Sequence, residues 1–343
     1  MVTTREGHDA LLMSAPTVLV TGGAGFVGSH ACKALARAGY RPVVYDNLSN
    51  GIREAVKWGP LEVGDLQDEA RLAEAFARHK PVGVLHFAAF IEVGESVRQP
   101  ARFYQNNVGG TLSLLRVMTG AGIDTIVFSS SAAVYGDPKV TPVPETHPLK
   151  PVNPYGRGKL MIEEILRDVS AAQGLRYCAL RYFNAAGADP DGDLAENHHP
   201  ETHLIPLVLQ AALGLRPEIL IFGTDYDTPD GTCIRDYVHV SDLAEAHVLA
   251  LRWLLDGGEN LVANLGSGQG YSVRNVISTV EAVLNLPVPV RETARRTGDP
   301  AILVSDPRLA RQMLDWTPAR GDLRTQVLDA ARGVPTLPAP ALA

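Results

Sequence analysis

Cysteine is scarce in this sequence. Cys32, Cys178 and Cys233 are odd in number, far apart and never arranged as C-x-x-C. That spacing excludes a disulfide framework and a thiolate metal site, and fits a reducing, cytoplasmic compartment. No metal is expected. No apolar run reaches the ~20 residues of a membrane-spanning helix, so no membrane partner is expected either. An excess of positive charge is missing too: the net charge of −7 argues against a nucleic-acid partner. Internal repeats and low-complexity blocks are absent. The opening "MVTTREGHDALLMSAP" has no apolar stretch of signal-peptide length and reads as a loose tail, with Met13 an alternative start. The Pro- and Ala-rich end from Pro335 reads as frayed.

What is present is the composition of an ordinary globular protein, 45% hydrophobic and 20% charged. At 343 residues it exceeds the usual single-core size, which implies a large domain with an appendage, or two domains. From Thr17 to about Asn184, short β-branched runs alternate with stretches of helical period. The runs are "TVLVTG", "RPVVYD", "PLEVGD", "GVLHFAA", "DTIVFSS" and "RYCALRYFN". This rhythm predicts right-handed βαβ units, hence an α/β fold with a Rossmann-type, doubly wound parallel sheet. After Asn184 it breaks into a polar loop and smaller mixed elements. The expected division is a dinucleotide-binding domain over residues 16–190, with 238–268 returning to it, and a smaller mixed α/β C-terminal substrate domain over 191–335.

"VLVTGGAGFVGSH" joins the first strand to the first helix. Gly23, Gly25 and Gly28 satisfy G-x-G-x-x-G, and Gly22, Gly25 and Gly28 the G-x-x-G-x-x-G variant. Such glycines permit a tight turn and a close backbone approach to a pyrophosphate, which the helix N-terminus then favours. Asp46 closes the second strand, eighteen residues beyond Gly28. An acid there suits a ribose 2′-hydroxyl and repels a 2′-phosphate, which favours NAD over NADP. A mononucleotide site or an empty structural loop is the competing reading.

Ser129, Ser130 and Ser131 end the strand "DTIVFSS", and Tyr155 and Lys159 open the following helical stretch. Four residues apart, the phenol and the ammonium share one helix face. Alone, the pair also describes a packed tyrosine beside a solvated lysine. At the carboxyl end of a parallel sheet that binds a dinucleotide, it acquires chemistry. A free phenol has a pKa near 10, and a neighbouring cation lowers it toward a working base. Ser131 would hydrogen-bond the reacting oxygen. Together the three make a hydroxyl-oxidising site.

The stretches "VTGGAGFVGSH", "DNLSNG", "HFAAFIEVGESVRQP", "FSSSAAVYG", "PYGRGKLMIEEIL", "LRYFNAAGA" and "IFGTDYDTPDGTCIRDYVHVSDLAEAH" resemble the extended short-chain dehydrogenase/reductase family, specifically its UDP-glucose (UDP-galactose) 4-epimerases. The likeness runs from Thr17 to about Thr317. It implies an NAD-dependent isomerase that oxidises the sugar to a 4-keto form, rotates it and reduces it again. The physiological setting it implies is galactose metabolism, in a cytoplasmic homodimer. Ser131, Tyr155 and Lys159 would be the catalytic trio. NAD would meet Gly22, Gly25, Phe26, Val27, Gly28, Asp46, Asn47, Leu48, Ser49, Asn50, Gly51, Asp65 and Leu66. Further contacts would come from Phe87, Ala88, Ala89, Asn106, Tyr155, Lys159 and Phe183. The UDP-sugar would meet Ser131, Tyr155, Asn184, His203, Leu204, Phe222, Arg235, Tyr237, Arg296 and Asp299. The two arginines suit a diphosphate, Asp299 ribose hydroxyls and Phe222 a uracil. Read without the resemblance, Arg235 is an ion-pair partner for Asp236, and Phe222 is core.

The chain departs from the family pattern in three places. Thr202, His203 and Leu204 replace a common Asn-Asn-Leu, leaving His203 as a donor to phosphate. Ile91 stands where members often carry lysine. Leu303 stands about where stricter relatives have a tyrosine that narrows the sugar pocket, so UDP-N-acetylglucosamine is an alternative substrate. UDP-pentoses and UDP-uronic acids are further alternatives. A 4,6-dehydratase would need an acid pair where this chain has Ala132 and Ala133. A non-catalytic NAD-sensing protein on the same fold would commonly lack Tyr155 and Lys159, which are both here.

Overall fold

A computed structural model describes residues 15–196, 200–296 and 298–334. The tail expected before Ala15 and the end expected from Pro335 lie outside the described residues. Along the chain run strands β1 (Thr17–Thr21), β2 (Arg41–Asp46), β3 (Leu61–Val63), β4 (Gly83–His86), β5 (Thr125–Ser131), β6 (Arg176–Tyr182) and β7 (Asn184–Ala186). Then come β8 (Ile219–Phe222), β9 (Ile234–Arg235), β10 (Tyr237–His239), β11 (Leu261–Leu265), β12 (Tyr271–Ser272), β13 (Val290–Thr293) and β14 (Ile302–Leu303).

Seven strands form one sheet in the order β3-β2-β1-β4-β5-β6-β11, the Rossmann arrangement read from the alternating text. The pairs β1–β2, β1–β4, β2–β3 and β4–β5 are parallel. All five residues of β1 are buried, which is why the strand reads as a continuous apolar run. The helices between strands begin and end on recognisable residues. Asp68 accepts from Arg71 N at 3.0 Å to start the Glu69–His79 helix, and Lys80 closes it in the left-handed conformation.

Two compact units emerge, each assembled from three segments. The first holds the chain up to Ser130, with Gly158–Leu180 and Ala244–Val262. Its core gathers Leu19, Tyr45, Phe76, Leu114, Phe128, Ile162 and Tyr177. The second holds Ser131–Arg157, Arg181–Leu243 and the chain from Ala263 onward. Three small sheets, β10-β7, β12-β9-β14 and β13-β8, build it around Ile205, Val208, Ile221, Tyr237, Val276 and Val327. A capping box between Ser272 and Asn275 starts its Val273–Leu284 helix.

Two local features differ from the expected pattern. "RYCALRYFN" is not one strand: Phe183 N donates to Leu265 O at 3.2 Å, whereas Asn184 N donates to Asp236 O at 3.0 Å. The chain changes partner strand at that step, and β7 pairs with β10 instead. The second is a π-helical turn, Tyr104–Gly109, leading into the Gly110–Ala121 helix. Such turns recur at functional sites, and this one carries Asn106 and Asn107.

Candidate active site

The turn after β1 shows why its residues are glycine. An added Cβ at Gly28 would stand 2.2 Å from Gly22 O, so only glycine lets the helix start this close to the turn. That helix, Phe26–Arg37, has Gly25 as its N-cap, no side-chain cap bond and no acid in its first turn. Its positive dipole end is left for an external anion such as a phosphate. Phe26, Val27 and Gly28 form that first turn. Asp46 is buried at the end of β2, its carboxylate accepting from Ala24 N at 3.0 Å and Leu48 N at 2.8 Å. Burial raises its pKa, opposed by those two N–H groups.

Around this turn the other expected cofactor residues are held by side-chain and backbone bonds together. Asn47 Nδ2 donates to Asp65 Oδ2 at 2.8 Å, and Ser49 N to Asn47 Oδ1 at 3.0 Å. Leu48 takes a positive φ of 59°, Asn50 reaches Glu92, and Gly51 lies against Ala24. Phe87 N and Ala88 N both donate to Thr21 O, fixing the segment that continues to Ala89. Leu66 is buried beside Gly110. Phe183, buried, falls in the second unit.

Sequence reasoning missed the residues that fix this segment from behind. Thr111 Oγ1 donates to Asn107 O at 2.6 Å, so it accepts from His86 Nε2–H at 2.9 Å. His86 Nδ1 then accepts from the Thr21 hydroxyl at 2.7 Å. Burial, reinforced by Lys159, lowers the His86 pKa to about 3, so the imidazole is neutral. Asn107 Oδ1 accepts from Phe90 N and Asn106 Nδ2, both at 2.8 Å, and its Nδ2 donates to Phe90 O at 3.0 Å. Asn106 is the part of this turn that the sequence singles out; the π-helical turn that carries it has no such signal.

Tyr155 and Lys159 lie one turn apart on the Pro154–Gln173 helix. Asn153 Oδ1 accepts from Gly156 N at 2.8 Å at its start, and Pro154 suits a first helical position. A Cβ at Gly156 would stand 2.5 Å from Ala133 O, so this glycine lets the helix start approach the turn that follows Ser131. Ser131 itself accepts from Ala133 N at 3.2 Å and is half-buried, as is Tyr155. Lys159 is buried: its Nζ donates to Ser129 O at 2.6 Å and lies 4.9 Å from the Phe128 ring. Burial pulls its pKa down to about 7, with Glu163 opposing. The bland reading of a solvated lysine is therefore wrong for this chain.

A scan against family models matches residues 18–266 to the NAD dependent epimerase/dehydratase family. The chain belongs to that family. It is 55% identical over 306 residues to the UDP-glucose 4-epimerase of Rhizobium leguminosarum bv. trifolii, covering 89% of this chain and 94% of the relative. The crystal structure of UDP-glucose 4-epimerase from Brucella ovis in complex with NAD superposes with a TM-score of 0.91 at 52% identity. That match covers 93% of this chain and 99% of the other. The UDP-Glc/GlcNAc 4-epimerase of Campylobacter jejuni superposes with a TM-score of 0.81 at 40% identity, covering 93% and 98%.

Several expected sugar-nucleotide residues sit differently from the sequence reading. Arg235 is an ion-pair partner, but of Asp299 and not of its neighbour Asp236. It also donates to Pro300 O at 2.8 Å and Ile234 O at 2.7 Å. Asp236 is buried and accepts instead from Ser267, Gly268 and Ser305, tying three loops together. The Arg296 guanidinium lies 3.9 Å from the Phe222 ring centre, so that face is covered by a cation. Tyr237 is packed in the second core, and Asn184 Nδ2 donates to Asp236 O at 2.9 Å. Leu204 opens the Leu204–Ala212 helix, packed on the same core. His203, the N-cap of that helix, faces Glu196 and Glu201. Burial works against its charge, but the two carboxylates outweigh it and push its pKa up to about 10. Its Nδ1–H is directed at those acids. Among the described residues, no helix is long and apolar enough to cross a membrane.

Proposed function

We propose that this chain interconverts UDP-glucose and UDP-galactose with a bound, recycled NAD. The observation that carries the reading is the Tyr155–Lys159 pair, its lysine buried and bonded to the strand that ends in Ser131. In this reading the uncapped helix start at Phe26 holds the pyrophosphate and Asp46 the ribose hydroxyls. When bound, NAD would supply the hydride acceptor for sugar C4 and the hydride donor for the return step. Tyr155 takes the proton of the 4-hydroxyl and gives it back to the 4-oxo group. Lys159 favours the phenolate, and Ser131 hydrogen-bonds the reacting oxygen. Arg235 and Arg296 hold the diphosphate, with Asp299 and Phe222 serving the nucleoside; the Arg235–Asp299 pair opens or shares its bonds when the nucleotide enters. Firm contacts to UDP with few to the sugar let the keto sugar present its other face. The low cysteine content supports a cytoplasmic setting, and the same reading makes the enzyme a homodimer of galactose metabolism.

Leu303 favours a second substrate. It is half-buried in β14, in register with Arg235, and lacks the ring and hydroxyl of tyrosine. Purified protein incubated with UDP-galactose and a panel of UDP-sugars, without added NAD, should convert UDP-galactose and UDP-glucose well and UDP-N-acetylglucosamine more slowly. A pocket difference of this size gives a discrimination of about 10–200-fold. Leu303→Tyr should lower the N-acetyl reaction more than the plain one. No conversion of either hexose would refute the main reading, and equal losses on both substrates the second.

A further inference from the structure

Glu163 is buried, ionisable and without a role in the chemistry above. It lies one turn beyond Lys159 on the Pro154–Gln173 helix, 6% exposed against 2% for Lys159. Acidic side chains are almost never buried this deeply unless paired, because stripping the water from an ion costs several kcal/mol. Two bonds join this stretch of helix to the end of β5. Lys159 Nζ donates to Ser129 O at 2.6 Å, and Ser130 Oγ donates to Glu163 Oε1. The strand residues are consecutive and the helix residues one turn apart, so the bonds act as two rungs of a clamp. Ser131 is the next residue on the strand, and Tyr155 is the next turn back on the helix.

The groups around Lys159 come from three elements. Its own helix contributes Glu163, β5 contributes the Ser129 carbonyl and the Phe128 ring, and β4 contributes His86. His86 is neutral, and Glu163 is the acidic side chain of this set.

We propose that Glu163 is a positioning residue for the Tyr155–Lys159 pair. Its buried carboxylate fixes the helix to the strand end through Ser130 and balances the charge of Lys159. This rests on the reading of Tyr155 as the base. Without the carboxylate the ammonium is less favoured, the phenolate loses its cationic neighbour, and a higher pH is needed to form it.

The test compares pH profiles of kcat/KM for the holoenzyme and its variants. Glu163→Gln keeps the shape and a hydrogen-bond acceptor but removes the charge. Its rising limb should move up by about one pH unit, with a loss of about tenfold at pH 7 that recovers at higher pH. Ser130→Ala keeps the charge and loses the rung: kcat should fall while the limb stays in place. Ultraviolet difference titration of the phenolate, with Tyr155→Phe as background, should show the same shift in Glu163→Gln without relying on turnover. A limb and a titration identical to the parent's would overturn the proposal. If Glu163→Gln does not fold, Glu163→Asp decides. It keeps the charge one methylene short, so a lower kcat with an unmoved limb supports the proposal and a moved limb refutes it. Normal turnover in Tyr155→Phe would instead sink the base assignment itself, which separates the two failures.

Discussion

Lys159 is a lysine whose charge is costly to bury, and that cost has a definite pH signature. Its folded pKa of about 7 lies below the ordinary value near 10.4. Between those values the unfolded chain binds more protons than the folded one, so this group makes stability rise with pH across that window. Below about 7 its full penalty is present. With NAD removed, Lys159→Met should therefore melt higher than the parent at pH 6, and its melting temperature should lack this rise between pH 7 and 10. Turnover should move the other way. In the proposed reading Tyr155→Phe removes the base, which should cost about 10²–10⁴-fold in kcat, and Lys159→Met should raise the pH optimum. A lysine that stabilises the fold at pH 6, read from the same melts, would show that its burial is structural and not catalytic.

At the scale of elements, the glycine turn and the Tyr155 helix were legible because local rules fix them. A fully buried strand, a turn that admits no Cβ at Gly22 or Gly28 and a helix start are all written in consecutive residues of "VLVTGGAGFVGSH". Gly28→Ala tests how tightly. Its methyl would stand 2.2 Å from Gly22 O, so backbone must move. Overpacking of this kind costs about 1–3 kcal/mol. The variant should lose several degrees in melting temperature and purify with far less bound NAD; unchanged NAD content would mean the turn does not set the phosphate site. What the text hid depends on partners remote in sequence. The Arg235–Asp299 pair spans sixty-four residues, so adjacency pointed to Asp236 instead. His203 looked like a free donor because nothing in its spacing revealed that Glu196 and Glu201 face it. Glu163 read as one more polar position on an amphipathic helix, and only its bond to Ser130 distinguishes it. The π-helical turn at Tyr104–Gly109 carries no local signature at all.

Over the whole molecule, the unit boundaries fall inside regular elements: β5, the Pro154–Gln173 helix, β6, the Val240–Leu255 helix and β11 each contain one. No Gly-, Pro- or Ser-rich linker marks any of them, so the sequence offered residues 16–190 as one stretch, with 238–268 returning to it, and carried no signal for the breaks inside β5, the Pro154–Gln173 helix and β6. Each unit nevertheless has a core of its own, and the glycine turn with Asp46 lies wholly in the first. Cofactor binding should thus appear as a property of the intact protein's stability. A ligand that binds only the folded state adds RT ln(1 + [L]/Kd), about 4 kcal/mol at a thousandfold excess over Kd. Acid-denatured protein should release NAD and little NADP. Material stripped of NAD should melt several degrees lower, and added NAD should restore the loss. NADP at the same concentration should not: in the proposed reading Asp46 serves the ribose, and Ala24 N and Leu48 N hold its carboxylate, so it cannot swing away from a 2′-phosphate without breaking both bonds. Equal rescue by the two cofactors would mean that Asp46 does not face the ribose, and the cofactor assignment would have to be rebuilt from the turn outward.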